Sequence, residues 1–444
     1  MELPKEFLER VKNNIPDYEE FIKSYDRLPV KSFFINTSKI SKEDFLKNCN
    51  WNINPYANGY ILNEDIKVGK TAEHHSGMIY MQEISAMMPV SFLPLKEDDW
   101  VLDMCSAPGG KSIQVANRVL KGCVVSNEIN RQRANILREN VERMGLKNIC
   151  ITNNDPKELE KCFGGIFDAV VVDAPCSGEG MFRKDEDAIL NWSIENVQAC
   201  ASRQLLILES ADKMLKQGGY LLYSTCTFSP EEDEGVVAQF CKNFNYDIIP
   251  LEYVDAVKGS VIKGIKTDGT LKFFPHKFCG EGQFVALLRK NNESEYFVKT
   301  SLKFKKLKDC RTEYGMFEQF CKNNLKDYQD FLSNSIINNG DIYYPANLKI
   351  AESGVRLINC GVKLGEVAKG RFEPDHNFAK SYADKFLNII NLSDAEVGKY
   401  LRGEVLNNDA QRYVVLAYKS VPLGLGKGVG GVIKNHYPKK LRNI

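Results

Sequence analysis

A chain of 444 residues is long for one domain and predicts about two or three. Apolar residues at 43% and charged residues at 26% are ordinary globular values and exclude a disordered or low-complexity chain. A net charge of +1, from 59 basic and 58 acidic side chains, excludes a uniformly basic, histone-like nucleic-acid binder. The balance is uneven, however. Residues 291–444 hold 24 basic and 17 acidic side chains, a net of +7, which leaves −6 for residues 1–290. The last 33 residues, from Arg412, hold seven basic side chains and no acid. Such a split points to a polyanion-facing module on an otherwise ordinary enzyme.

In chain order, Phe7, Leu8 and Val11 mark an amphipathic helix, KSFFINTSKI reads as one strand, and NWNINPYANGY reads as a turn-rich stretch. From about Gly77 the pattern changes. WVLDMC, GCVVSNE, NICITNND, FDAVVVDAPC, GYLLYSTC and QFVALLR are short β-rich runs. Segments of helical period lie between most of them, including Asn130 to Met144 and Asn196 to Leu215. This alternation predicts an α/β fold with a mostly parallel, doubly wound sheet. KNNESE, from Lys290, is a polar break; a helical, Lys-rich section to about Asn339 and a glycine-rich β tail follow it.

Thirteen cysteines, an odd number without a CxxC pair or a cysteine–histidine cluster, predict neither a zinc site nor a disulfide framework. The N-terminus is charged from its second residue, and no apolar run reaches the ~18 residues that span a bilayer. The expectation is a reduced, cytoplasmic protein with no membrane span and no metal. Cys49, Cys123, Cys150 and Cys360 then read as small buried hydrophobes.

VLDMCSAPGGKS, Val101 to Ser112, runs from a strand through a Pro-Gly-Gly turn into a helix that starts near Lys111. Glycine there lets backbone approach a ligand, and the helix start offers free N–H groups. A triphosphate loop would need glycine at Cys105, and a GxGxxG dinucleotide turn is also absent. Glu128 follows the next strand, 17 residues after Lys111, where nucleoside-binding sheets place an acid on the ribose. Asp155 follows the third strand and Asp173 the fourth, so successive strands end in acids at one sheet edge. No cluster of basic residues accompanies the glycines. S-adenosylmethionine fits this pattern; NAD and ATP fit poorly.

DAPCSGEG sets Cys176 in the loop after the fourth strand, and YSTCTFSPEE sets Cys226 in the loop after the fifth. Ser229-Pro230-Glu231-Glu232 reads as a helix start, with Ser229 as cap and Glu232 closing a capping box. Two thiols beside a methyl donor suit methylation of a pyrimidine at carbon 5. That carbon attacks only after a thiolate has added to carbon 6. Asp173 is placed to hydrogen-bond the ring near nitrogen 3, and the second thiol to assist release as general acid or base. The target base must be flipped out or single-stranded. These features do not decide which cysteine attacks.

In HHSGMIYMQEISAMMP (read as a helix), DMCSAPGGKS, the acids Glu128 and Asp155, DAPCSGEG and STCT, the chain resembles the Nol1/Nop2/Sun-like RNA 5-methylcytosine methyltransferases. GMFRKDEDAILNW and PLGLGKGVGGVIKNHYPKKLR point within them to the bacterial RsmF-type branch, which methylates cytosine in small-subunit ribosomal RNA. The resemblance spans nearly the whole chain. It implies a Rossmann-like S-adenosylmethionine-dependent core, residues 77–290, after an α+β RNA-binding subdomain, residues 1–76. A helical linker, residues 291–340, and a PUA-like RNA-binding domain, residues 341–444, would follow. It also places the donor against Cys105, Ser106, Ala107, Pro108, Gly109, Gly110, Lys111, Glu128, Asp155 and Asp173. Cys226 becomes the nucleophile and Cys176 the helper in product release, whereas DNA cytosine methyltransferases attack with the cysteine of the Pro-Cys loop. One departure is the N-terminal strand, where Phe33-Phe34-Ile35 stand before Asn36 and relatives carry an arginine.

Expected RNA contacts are Lys427, Lys434, Lys439, Lys440 and Arg442, interleaved with glycine and Tyr437, and Arg183 and Lys184 after the first cysteine loop. The substrate implied is small-subunit ribosomal RNA, free or in the 30S particle. Alternatives are a transfer-RNA cytosine methyltransferase and an RNA-binding assembly factor without turnover. Truncation after about Leu288 is expected to keep donor binding and weaken RNA affinity.

Overall fold

The computed structural model describes residues 3–259, 267–301 and 303–442. Its centre is a ten-stranded sheet. Four parallel neighbours, Ile149–Thr152, Cys123–Asn127, Trp100–Asp103 and Phe167–Asp173, are apolar runs buried on both faces, as a helix-covered sheet requires. Leu215–Thr225 continues the parallel set beside Phe167–Asp173. The chain adds strands outward on one side of Trp100–Asp103 and then crosses to its other side with Phe167–Asp173. Such a switch point opens a crevice at the C-terminal strand ends, where open α/β sheets bind ligands. Gln283–Lys290, the QFVALLR run, pairs antiparallel with Leu215–Thr225, but it is not the edge strand: Leu271–Phe273 and Tyr246–Ile249 pair with its other side.

Side chains alternate across the sheet. Val124, Val171 and Leu222 join one apolar cluster, and Leu102, Val125, Val170 and Leu221 join the other. Helix Arg131–Met144 covers part of one face, its first turn capped by Asn130 accepting from Gln132 and Arg133. Helix Ile194–Met214 contributes Ile207, Leu208, Ala211 and Met214 to the other cluster.

The N-terminal region differs from its sequence reading at three points. KSFFINTSKI is extended only over Ser32–Ile35. Asn36 is buried and its amide donates to the carbonyls of Gly77 and Met144, so this position ties subdomain to core. NWNINPYANGY is a β-hairpin of Ile53–Tyr56 and Gly59–Leu62. The HHSGMIYMQEISAMMP segment is not one helix: a short helix, Ala72–Ser76, ends at left-handed Gly77, and Ile79–Met81 is then a strand against Ser32–Ile35. The four-stranded N-terminal sheet therefore extends past residue 76.

The basic half contains two five-stranded sheets, one within residues 305–374 and one within residues 389–435. The segment 291–340 is thus more than a helical linker, since Lys305–Lys306 and Ile336–Asn338 are strands of the first of these sheets. This half is built into the rest of the molecule. Leu357–Asn359 pairs antiparallel with Ile149–Thr152 as an edge strand of the ten-stranded sheet, and one apolar cluster mixes Phe33, Met78 and Ile79 with Tyr400, Leu416, Leu423 and Tyr437. Tyr437 is buried with its hydroxyl 2.6 Å from His75 Nδ1, so it is not the exposed aromatic of a phosphate-tracking surface. The expectation for a truncation after Leu288 changes accordingly. Removing residues 289–444 exposes that shared core and an unpaired strand, and the fragment is expected to aggregate rather than bind donor. Size-exclusion chromatography of the fragment checks this; a monomer that binds donor would contradict it.

Candidate active site

The crevice at the switch point is a pocket of about 860 Å³, within the roughly 300–1,000 Å³ of small-molecule sites. Cys105 and Ala107 line it, with Glu128, Asp155, Asp173, Cys176 and Cys226. Ser106, Pro108, Gly109, Gly110 and Lys111 do not line it; they build its wall. Ser106 bonds the Asn127 carbonyl through both its amide and its hydroxyl. Gly109 takes φ +118, and a Cβ there would stand 2.9 Å from Leu137; one at Gly110 would stand 2.7 Å from Gln82. At Gly109 the left-handed backbone itself favours glycine.

Lys111 Nζ stands 2.9 Å from Asp173 Oδ2. Asp173 Oδ1 accepts from Ser224 at 2.7 Å and from Gln283 at 3.2 Å. Glu128 is 3% exposed and accepts from the Asn130 amide, with Arg133 3.5 Å away. Asp155 stands on the pocket wall and also caps helix Pro156–Leu159 in a capping box with Glu158. Asp103, which ends the first core strand, lies beneath the pocket, accepts from Ser112, and is pushed up to about 7 by burial. Arg133 also lines the pocket and donates to the Ala107 carbonyl; the sequence reading passed over it because RQR looks like any exposed first helical turn.

The two cysteine loops meet at the pocket, with the sulfurs of Cys176 and Cys226 3.3 Å apart. The shared hydrogen bond with Cys226, burial and nearby Glu232 push the Cys176 thiol well up. The loops clasp each other through exchanged carboxylates. Glu232, from the Cys226 side, accepts from the Ser177 amide and from Gln204, each at 2.9 Å, and from the Ser177 hydroxyl. Glu179, from the Cys176 side, accepts from the Phe228 amide at 2.9 Å and the Ser229 hydroxyl at 2.7 Å. Ser177 and Thr227 hydroxyls join at 2.9 Å, and the Gly180 amide donates to the Cys226 carbonyl at 2.8 Å. Asp233 accepts from Thr225 and pairs with buried Lys272, which also bonds Glu234. The expected capping box at Ser229 is absent, because both its partners serve the clasp and the helix begins at Glu234.

A family description of 16S rRNA methyltransferase RsmB/F matches residues 90–289. Matches to the N-terminal domain of RsmF, residues 3–84, its first C-terminal domain, residues 319–381, and its PUA domain, residues 387–443, cover most of the remainder. Ribosomal RNA small subunit methyltransferase F of Vibrio parahaemolyticus is 34% identical over 99% of this chain and 97% of its own. The Aeromonas salmonicida protein of the same name is 33% identical over the same shares. The chain belongs to the RsmF family. A methyltransferase homologue from Pyrococcus horikoshii, 25% identical, superposes with a TM-score of 0.54 over 65% of this chain and all of its own. NSun6 from Pyrococcus horikoshii, solved with SFG, shares the fold at 23% identity and a TM-score of 0.56, over 65% of this chain and 99% of its own. The RsmF-family chain is an S-adenosylmethionine-dependent methyltransferase. Its pocket fits that donor: the buried Glu128 carboxylate can take a ribose diol, and Asp173 and both thiols stand beyond it.

In this RsmF-family protein the PUA match starts at residue 387, and the strands of 341–374 fall within the match to the first C-terminal domain. Arg183 is turned inward. Its guanidinium is 6% exposed, pairs with Glu281 at 2.7 Å, and donates to the carbonyls of Ser24 and Gly280. Lys184 lies 3.5 Å from the same carboxylate. In the tail, Lys427 and Lys434 are cross-strand partners, and Lys427 lies 4.9 Å from the Tyr413 ring centre. Lys434 and Lys439 are exposed, Lys440 pairs with Glu139 at 2.6 Å, and Arg442 donates to the Tyr437 carbonyl. Among the described residues no group of three or more His, Cys, Asp or Glu is arranged to hold a metal, and no helix is long and apolar enough to cross a membrane. None of the thirteen cysteines is in a disulfide.

Proposed function

We propose that this protein methylates carbon 5 of cytosine in small-subunit ribosomal RNA, in the cytoplasm, through a transient covalent bond to Cys226. The observation that carries this reading is the 3.3 Å pair of thiols at the mouth of a pocket whose inner wall holds Glu128. When bound, S-adenosylmethionine supplies an electrophilic methyl group. Cys226 adds to carbon 6 of the flipped base, which makes carbon 5 nucleophilic. Asp173 faces the amino and nitrogen-3 edge, and its Lys111 partner opposes the negative charge that builds there. After methyl transfer the carbon–sulfur bond breaks as the carbon 5 proton passes to Cys176, whose own proton goes to the departing Cys226 sulfur. Lys427, Lys434 and Lys439 serve as backbone contacts that hold the RNA.

Bisulfite sequencing of small-subunit ribosomal RNA from cells with and without the gene tests the reading. A 5-methylcytosine lost with the gene is the expected result, and an unchanged pattern overturns it. The donor site has its own test. Glu128→Ala is expected to weaken S-adenosylmethionine binding roughly 10- to 100-fold, the worth of hydrogen bonds to a buried charged group, as read by calorimetry.

A further inference from the structure

The opposite edge of the central sheet carries a second cavity, of about 600 Å³. Leu120 and the segment Gly145–Asn148 line it, and they precede the strands Cys123–Asn127 and Ile149–Thr152, whereas the cysteine loops follow theirs. Its walls come from the turn after Ser32–Ile35, from the methyltransferase core, and from the basic half. Methyl transfer makes no use of it.

Its charges are unbalanced. Lys39 Nζ donates to the Lys380 carbonyl at 2.6 Å, and no carboxylate of the described residues lies within ion-pair distance of it. Lys147 Nζ sits 4.3 Å from the Tyr382 ring centre and 3.9 Å from Asp384, whose side chain is 67% exposed. The Lys380 ammonium is buried behind this wall on the His75 carbonyl. Burial and neighbouring Lys147 bring Lys39 down to about 8, as expected for an ammonium short of counter-charge. Leu120 and Ile389 line the same cavity and are 57% and 47% exposed. Ammonium groups beside open apolar surface suit a phosphate attached to a sugar and a base.

We infer that this cavity is a nucleotide-binding subsite, with the phosphate between Lys39 and Lys147 and the sugar and base against Leu120 and Ile389. It rests on the reading of RNA as substrate for one of its two sources, a nucleotide within an RNA strand; the other is a free nucleotide. The strand is favoured, because core strands of four or five residues span only ~15 Å and a folded RNA reaches both sheet edges.

The test uses the full chain, Lys39→Gln/Lys147→Gln and Asp384→Asn. Each is titrated with a labelled single-stranded RNA at several salt concentrations by fluorescence anisotropy, and with cytidine monophosphate by calorimetry. For an RNA strand, the double variant binds RNA roughly tenfold more weakly and, one phosphate contact being lost, its log–log salt slope falls by about 0.7. Asp384→Asn, which keeps both lysines and removes an exposed acid, binds more tightly. Cytidine monophosphate binding lost with RNA affinity unchanged assigns the subsite to a free nucleotide. RNA and monophosphate binding unchanged in both variants overturns the inference. Donor binding at the catalytic pocket stays at wild-type level throughout, and absent methyl transfer by the wild-type chain would defeat the proposed function without touching this result.

Discussion

Cys226→Ala is expected to abolish methyl transfer, by on the order of 10⁴-fold or more, while Cys176→Ala is expected to accumulate protein covalently bound to RNA. The two outcomes follow from one geometry. Both sulfurs face the pocket 3.3 Å apart, and the Cys176 thiol is raised by its bond to Cys226 and by burial. With Cys226 as the attacking sulfur, the role proposed above, alanine there leaves carbon 5 without its activation. Without Cys176 addition and methyl transfer still proceed, but the Cys226 sulfur leaves carbon 6 without a nearby proton. The adduct persists and migrates as a slow band on a denaturing gel. A slow band from Cys226→Ala, with none from Cys176→Ala, would reverse the roles.

Much of this site was legible in the sequence because it depends on strand ends. Apolar runs followed by Glu128, Asp173, Cys176 and Cys226 place those side chains at one sheet edge once the strands are parallel, and parallel strands follow from the helical segments between them. Cations were less legible. Lys111 beside a glycine turn and Arg183 beside a cysteine loop read locally as unpaired cations, yet each is paired with an acid distant in sequence, Asp173 and Glu281. Tyr437 sits among lysines in the sequence but is drawn inward by His75, some three hundred and sixty residues earlier. The packing of the basic half follows the same logic. Leu357–Asn359 is a short, unremarkable run until Ile149–Thr152 offers it a free strand edge. Local pattern reports which elements form, and long-range partners decide which charges remain available to a ligand.

Glu232→Gln is expected to make stability less dependent on pH, and Glu232→Ala to slow turnover roughly 100-fold with donor affinity unchanged. Glu232 is fully buried, and burial brings it up to about 7 from 4.5. Below about pH 4.5 folded and unfolded chains both hold this proton. Between there and about pH 7 the folded chain keeps a proton that the unfolded chain releases, so stability falls as pH rises through that window and levels off above it. At about 1.4 kcal/mol per unit the fall is on the order of 3 kcal/mol. Glutamine resembles the protonated form and can still serve Ser177 and Gln204, so the Glu232 share of the fall should be missing from its unfolding midpoints between pH 5 and 8. Asp103 and Glu142, also raised to about 7, titrate in both proteins and cancel in the comparison. Equal pH slopes would place the titration elsewhere. Alanine acts differently, because it frees the Ser177 amide and with it the loop that holds Cys176. A displacement of about 1 Å at a reacting group costs on the order of 10²-fold. The delayed step is release, so the fraction of enzyme trapped as RNA adduct should rise under turnover. Slower turnover without more adduct would mean that the clasp positions Cys226 rather than Cys176.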